Sequence, residues 1–309
     1  MPLGSWEYKE KRVTPEIPRT VRLILLLLLV NATAFPQPPI TFVFAGLKLL
    51  PDVWDKQANF ARFEQYARRA AAAGADFIAT PEGYLDGYSA HDGMVKKRTG
   101  KDLTRERYFE GGEPIDGPWM RKVAALAREL KKYLLMGFAE RRGGKMFNTV
   151  AVYSPEGLLI ARYSKAHCGP SGEPYNEAGN EFPVFPTPIG RLGLLVCFDR
   201  QLPETSRILA IKGAQFIVVP AFGLGTTEIN EDIMMRTRAY ENSVYVAHVH
   251  PVNTFIVDPK GTIVAQSRRD GETIVMATIT LDRRVGSGEG FRARRPEIYK
   301  EILLPNQPR

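Results

Sequence analysis

From residue 40 onward the chain alternates short apolar runs with segments of helical periodicity, which restricts it to an α/β architecture. ITFVFAG (40–46) reads as a strand. Residues 55–73 read as a helix, with Phe60, Phe63 and Ala67 at helical spacing and Gly74 as the stop. DFIATPEG supplies a short buried strand ending at Pro81, and residues 86–117, rich in Gly, Asp and Lys, read as a long irregular segment of the kind that lines sites. A helix over 118–132 opens on Pro118. Strands are expected at 133–140 and 147–154, then a turn at Pro155-Glu156-Gly157 and the returning strand LLIARYS. RLGLLVC (191–197) reads as a further strand, with a helix from Pro203 to Gly213 after it. FIVVP, a helix over 228–242, and the strands VYVAHVH, TFIVDPKGTIVAQS and TIVMATI complete the pattern, with Pro259-Lys260-Gly261 as a hairpin turn. No repeat or composition break follows residue 40. One α/β domain is expected over 40–309, its helices flanking sheets of mixed hairpins and crossovers, with a C-terminal tail from about residue 284.

At 309 residues, 44% hydrophobic and 25% charged, the chain has enough apolar material for a sizeable core. Its net charge of +8 is spread out, with no run of five like charges and no basic stripe interleaved with aromatics, so no nucleic-acid partner is expected. Two cysteines, Cys168 and Cys197, cannot make a disulfide framework.

The first 39 residues form an extension unlike the rest. Arg19 and Arg22 precede LILLLLLV (Leu23–Val30), and Ala32-Thr33-Ala34 follows, the outline of a secretory signal peptide. The apolar run is about half the roughly 20 residues a bilayer span needs, so no stable membrane span is expected. Against the signal stand a long preceding segment and three acids, Glu7, Glu10 and Glu16. The alternative is an arm that packs Leu23–Val30 on the domain. Export to the periplasm or outside is the preferred reading, cytoplasmic residence the other. No cysteine follows the run to carry a lipid anchor, and the Asn31-Ala32-Thr33 sequon would leave with the signal.

Several common catalytic motifs are missing: GxSxG, GxxxxGK[ST], HExxH and paired CxxC. His248 and His250 share a face of a strand and suit a metal, but they lack a third ligand, so a satisfied pair at a strand end is preferred. Cys197 ends an apolar run. Taken alone it reads first as a packing residue, although strand ends in open α/β sheets are where reactive groups gather. Glu82 in ATPEGYLDGY also follows an apolar strand, where a carboxylate is costly unless it has a partner or a task. Lys165 in YSKAHCGPSGE follows another, with Glu173 eight residues later in a Gly/Pro-rich loop. Each residue alone fits a solvated strand end or a surface ion pair. Three strand-end polar groups of these types form a constellation that chance explains poorly.

On these residues the chain resembles the nitrilase, or carbon–nitrogen hydrolase, superfamily. PEGYLDGY around Glu82, YSKAHCGPSGE around Lys165 and GLLVCFDRQLPE around Cys197 occur in order, with RTRAYENSVYVAHVHP and the FIVDPKGTIVAQS hairpin downstream. The resemblance spans about residues 40–283. It implies a four-layer α-β-β-α sandwich, paired through a face into a homodimer or higher homo-oligomer. It also implies hydrolysis of an amide or N-carbamoyl carbon–nitrogen bond on a small molecule, with no metal and no organic cofactor.

In that scheme Glu82 is the base and Lys165 the positive charge for thiolate and oxyanion. Cys197 is the nucleophile, since a thiol of pKa about 8.5 needs both. The backbone N–H of Phe198 is the second oxyanion donor. Glu173 resembles the family's additional glutamate, which orients Lys165 or the substrate. Arg200 resembles the arginine with which N-carbamoyl amino acid hydrolases grip a carboxylate. Its other reading is a brace paired with Asp199 or a neighbouring acid. Cys168 is placed near the site entrance, as packing or as an oxidation-sensitive thiol. Nitrile hydrolysis and acyl transfer to an amine by the same residues stay open, although the membrane-bound transferases of the superfamily carry a helical bundle missing here. A non-catalytic scaffold would be free to lose Glu82, Lys165 or Cys197, and all three are present.

Overall fold

Two six-stranded sheets pack face to face in the computed structural model, which describes residues 38–168, 172–223, 229–268, 271–282 and 288–304. The signal-like run, the sequon and the alternative arm all fall in residues 1–37, outside the described residues. Residues Pro39–Arg309 form one compact unit. No helix among the described residues is long and apolar enough to cross a membrane.

The first sheet is built from β1 (Ile40–Lys48), β2 (Phe77–Ala79), β3 (Tyr133–Arg142), β4 (Lys145–Tyr153), β5 (Leu159–Ser164) and β12 (Thr273–Leu281), in the order β12-β1-β2-β3-β4-β5. The second holds β6 (Val184–Thr187), β7 (Gly190–Leu194), β8 (Phe216–Pro220), β9 (Tyr245–Val249), β10 (Thr254–Val257) and β11 (Ile263–Ser267), in the order β11-β10-β9-β8-β7-β6. Each sheet has three parallel strands, β1-β2-β3 and β7-β8-β9, with antiparallel strands outside them. Parallel neighbours need crossovers, and helices supply them. α1 (Lys56–Ala72) joins β1 to β2; α2 (Asp92–Thr99), α3 (Arg105–Gly111) and α4 (Pro118–Leu130) lie between β2 and β3. α5 (Pro203–Ile211) joins β7 to β8, and α6 (Met234–Asn242) precedes β9.

Side-chain alternation then fixes four layers. Phe77 and Ala79 of β2 face the second sheet, where they meet Leu192, Leu194, Phe216 and Val218, whereas Ile78 points outward to Phe63 and Ala67 of α1 and Val123 of α4. Ile217 and Val219 of β8 likewise point outward, to Leu209 of α5 and Met235 and Ala239 of α6. Strands covered on both faces carry continuous apolar runs, which is why FIA and FIVVP show no polar alternation. The molecule is the expected α-β-β-α sandwich.

Several expectations are corrected. The segment 86–117 is not wholly irregular. It contains α2 and α3, capped by the side chains of His91 and Thr104, and each buries a single residue, Val95 and Tyr108, so neither carries an apolar stripe to read. The strand expected over 191–197 stops at Leu194, because the chain turns there (below). β6 went unrecognised: it is a four-residue edge strand containing Pro186. The helix over 228–242 is in fact a π turn, Ile229–Ile233, running into α6; residue 228 lies outside the described residues. The expected tail contains a short α7 (Glu289–Arg292) and 3₁₀ turns at Pro296–Ile298 and Lys300–Leu303.

Phe216 sits at the centre of the inter-sheet layer, 5.1 Å from the Phe42 ring and 6.0 Å from Phe77. Phe216→Ala is expected to lower the unfolding free energy by about 3–5 kcal/mol, read as a lower urea midpoint at unchanged slope.

Candidate active site

Strand direction gathers the polar groups. β5 is antiparallel to β4, which is antiparallel to β3, so β5 runs the same way as β2 and ends on the same side of the sheet. Glu82 follows β2, Lys165 follows β5, and Cys197 follows β7 of the facing sheet. The Glu82 loop lies tightly on β3. Gly137 N–H donates to Thr80 Oγ1 at 3.0 Å, and a Cβ on Gly137 would come within 2.5 Å of the Pro81 carbonyl oxygen. Only glycine lets that loop settle.

Glu82 is fully buried. Its Oε1 accepts from Lys165 Nζ at 3.0 Å and from Asn148 Nδ2 at 2.8 Å, while Oε2 has no hydrogen-bond partner among the described residues. Lys165 Nζ also donates to Glu173 Oε1. Glu173 Oε2 accepts from Asn176 at 3.2 Å, and Asn176 Oδ1 accepts from the Tyr108 hydroxyl at 2.7 Å. α3, hidden in the segment read as irregular, thus anchors Glu173 through Tyr108. Burial pushes the Glu82 carboxyl above the ordinary range, Lys165 opposes the shift, and Glu173 adds to it. Burial also works against the Lys165 ammonium, but Glu82, Cys197 and Glu173 outweigh it and hold its pKa far above the ordinary value. The lysine is a fixed cation between two carboxylates.

Cys197 opens a 3₁₀ turn, Cys197–Gln201, with φ of +45°, a conformation that costs a residue with a side chain about 1–2 kcal/mol. Asp199 compensates by gathering four donors. Its Oδ2 accepts from Val196 N–H at 3.0 Å and the Tyr163 hydroxyl at 2.7 Å. Its Oδ1 accepts the His167 N–H at 2.9 Å and lies 2.9 Å from His167 Nδ1. The hydrogen bond to Asp199 raises the His167 pKa. Through these contacts the cysteine turn is pinned to the loop that carries Lys165. Phe198 is second in the turn, where backbone N–H groups have no partner inside the helix.

Arg200 does not pair with Asp199. It is buried, its Nη1 donates to Cys197 Sγ at 3.3 Å, and its Nε has no partner among the described residues. Burial pushes the Cys197 thiol up, and so does Glu82; Arg200, Lys165 and the Phe222 N–H oppose them. With two carboxylates and two cations the formal charges of Glu82, Glu173, Lys165 and Arg200 sum to zero around a neutral thiol. Moving the thiol proton to Glu82 leaves these four groups at +1 and the sulfur at −1, so the total over all five groups stays zero.

Cys168 is half-buried, its Sγ is 3.8 Å from the Glu177 carbonyl oxygen, and burial pushes its pKa up to about 12. The His248 and His250 rings stack 5.6 Å apart. His250 Nε2 lies 3.0 Å from the Phe222 carbonyl oxygen and His248 Nδ1 lies 3.1 Å from that of Asn253. Burial and then Arg200 lower both pKa values, His250 to about 4. The described residues contain no group of three or more His, Cys, Asp or Glu placed to hold a metal ion.

Residues that sequence reasoning passed over complete the site. Tyr88, at φ +55°, stacks on Phe222 at 4.4 Å, and the charges of Glu82, Cys197 and Glu173 add to its burial in raising its pKa. Asn148 is the one with a readable signal: a polar residue in the buried strand FNTVAVYS must find partners, and it finds Glu82. Tyr108 and Asn176 had no such signal.

The carbon–nitrogen hydrolase family model matches residues 36–286. The chain is 31% identical over 270 residues to the omega-amidase NIT2 of Homo sapiens, covering 79% of this chain and 92% of that one. It is 29% identical over 270 residues to the hydrolase in the pqqF 5′ region of Pseudomonas protegens, covering 82% and 88%. A solved amidase from Nesterenkonia sp. superposes with a TM-score of 0.70 at 21% identity, covering 88% of this chain and 100% of its own, a likeness of fold.

Lys165→Met strips the counter-ion from two buried carboxylates and is expected to destabilise the protein by about 3–5 kcal/mol at pH 7. Glu82 already has a raised pKa, so its ionised form is the costly one. The deficit shrinks as pH falls and Glu82 takes up a proton, which urea denaturation at pH 7 and pH 5 would show.

Proposed function

The chain belongs to the carbon–nitrogen hydrolase family, and from that premise we propose that it cleaves a non-peptide amide carbon–nitrogen bond through a thioester on Cys197. The observation that carries the mechanism is the buried set in which Lys165 bridges Glu82 and Glu173, Glu82 keeps Oε2 unengaged, and Cys197 feels the charges of both Glu82 and Lys165.

In this mechanism Glu82 Oε2 takes the Sγ proton as sulfur attacks the carbonyl carbon. Lys165 and the Phe198 N–H meet the oxyanion, and one such donor is worth about 2.7–4 kcal/mol of transition-state stabilisation. Collapse breaks the carbon–nitrogen bond, and Glu82 returns the proton to the departing ammonia or amine. Glu82 then activates water, which hydrolyses the thioester to a carboxylate and restores the thiol. Glu173 keeps Lys165 placed. The steps use groups of this chain and water, and call on no metal or organic cofactor.

The proposed substrate is a small carboxamide. The omega-amidase relatives favour an amide at the end of a chain. A second reading, an N-carbamoyl amino acid held by its carboxylate, is favoured by the unpartnered Nε of Arg200. Exposed Ile211 and Tyr240 on the outer helices support pairing of copies through that face.

Ammonia release is to be screened over aliphatic amides, ω-amides, N-carbamoyl amino acids and nitriles, with hydroxylamine added to trap acyl transfer. Turnover is expected on amides and on at most one of the other classes. Cys197→Ala should reduce it to background with an unchanged circular-dichroism spectrum, and retained turnover would remove Cys197 as the nucleophile. Glu82→Gln should still bind the amide but form no acyl-enzyme by mass spectrometry.

A further inference from the structure

Two buried cations border the thiol, and their hydrogen bonds go to different groups. Lys165 Nζ donates to Glu82 Oε1 and Glu173 Oε1. Arg200 Nη1 donates to Cys197 Sγ at 3.3 Å, and the residue is only 4% exposed. The acid beside it in sequence, Asp199, is filled by Val196, Tyr163 and His167. A guanidinium stays charged at every pH of interest, and its contact with sulfur is charge-assisted once the proton has left.

We propose that Arg200 is a further catalytic residue of the hydrolase reading above, the cation that holds the Cys197 thiolate, leaving Lys165 to the two carboxylates and the oxyanion. The proposal rests on Cys197 being the nucleophile. It gives Arg200 work in both halves of the reaction. In acylation the Sγ proton passes to Glu82 and the sulfur electron pair forms the bond to carbon, so the guanidinium stabilises sulfur up to the moment of attack. In deacylation water attacks the thioester carbon, the carbon–sulfur bond breaks, and sulfur leaves with that pair onto the same guanidinium.

The surroundings fit this role. Glu82, facing Sγ from the loop after β2, opposes ionisation of the thiol; Lys165 from the end of β5 and the Phe222 N–H after β8 favour it, as Arg200 does. The Tyr88 hydroxyl, whose pKa is raised well above the ordinary value, stays neutral. His248 and His250, which face Arg200 from β9 and the residue beyond it, are kept neutral by burial and by the guanidinium itself, so neither supplies a competing charge near pH 7.

The test is the pH profile of alkylation by iodoacetamide, followed by mass spectrometry on the peptide that carries Cys197. The unaltered protein is compared with Arg200→Met and Arg200→Lys, alongside turnover of a neutral aliphatic amide and an N-carbamoyl amino acid. Arg200→Met should move the acid limb up by about one pH unit, so that alkylation at pH 7 slows about tenfold, and kcat on the neutral amide should fall as well. Arg200→Lys, which keeps the charge, should hold the limb to within about half a unit. An unmoved limb in Arg200→Met, with KM raised only for the N-carbamoyl substrate, would make Arg200 a substrate clamp and overturn the proposal. If the methionine variant does not fold, Arg200→Lys decides: a limb displaced by a unit or more overturns it. Alkylation needs no turnover, so an Arg200-dependent limb in a protein that hydrolyses no amide would support the thiolate partner and sink the hydrolase reading alone.

Discussion

The ammonium of Lys165, buried between Glu82 and Glu173, is the interaction on which the rest of the site depends. Burying charges costs several kcal/mol per ion, and the attraction repays it only where geometry and further hydrogen bonds are good. Each carboxylate here has such support. Asn148 donates to Glu82, and Asn176, itself held by Tyr108, donates to Glu173. The loops after β2 and β5 and the helix carrying Tyr108 are therefore fixed by one electrostatic requirement, and a fault in any of them would leave a buried charge unmatched.

Around that pair the thiol sits in a second balance. Its turn is strained at Cys197, and Asp199 holds it by drawing a backbone N–H, a phenol and an imidazole into one carboxylate. The phenol of Tyr163 and the imidazole of His167 come from β5 and the loop beyond it, so the strain at the nucleophile's turn is offset in part by the lysine's own segment. The two balances are coupled in charge as well: two carboxylates and two cations surround a proton that can sit on sulfur or on Glu82 without changing the total.

Much of the fold was legible because burial on both faces of a strand leaves continuous apolar runs, and helices with wide apolar stripes alternate with them. α1 declared itself through the spacing of Phe63 and Ala67, and α4 through Pro118 at its first turn. α2 and α3 did not, since each buries one side chain and owes its stability to caps and to the site it covers. The RLGLLVC run read three residues too long as a strand, because Leu195 and Val196 are as apolar as the strand before them and nothing local reports that Cys197 takes a positive φ.

By itself the sequence determined the alternation of strands and helices and the short list of polar groups at strand ends, Glu82, Lys165 and Cys197, with Glu173 in the loop after Lys165. Covering both faces of a strand and placing a charge after an apolar run are local patterns, written in a few consecutive residues. Which atoms meet was decided only by tertiary structure. Arg200 reaches the sulfur of Cys197 and not the neighbouring Asp199, because Asp199 is already taken by residues more than 30 positions away. Tyr108 holds Glu173 through Asn176 across 68 positions. Such partners exist only once two sheets have closed on each other, and no periodicity in the chain records a contact made at that distance.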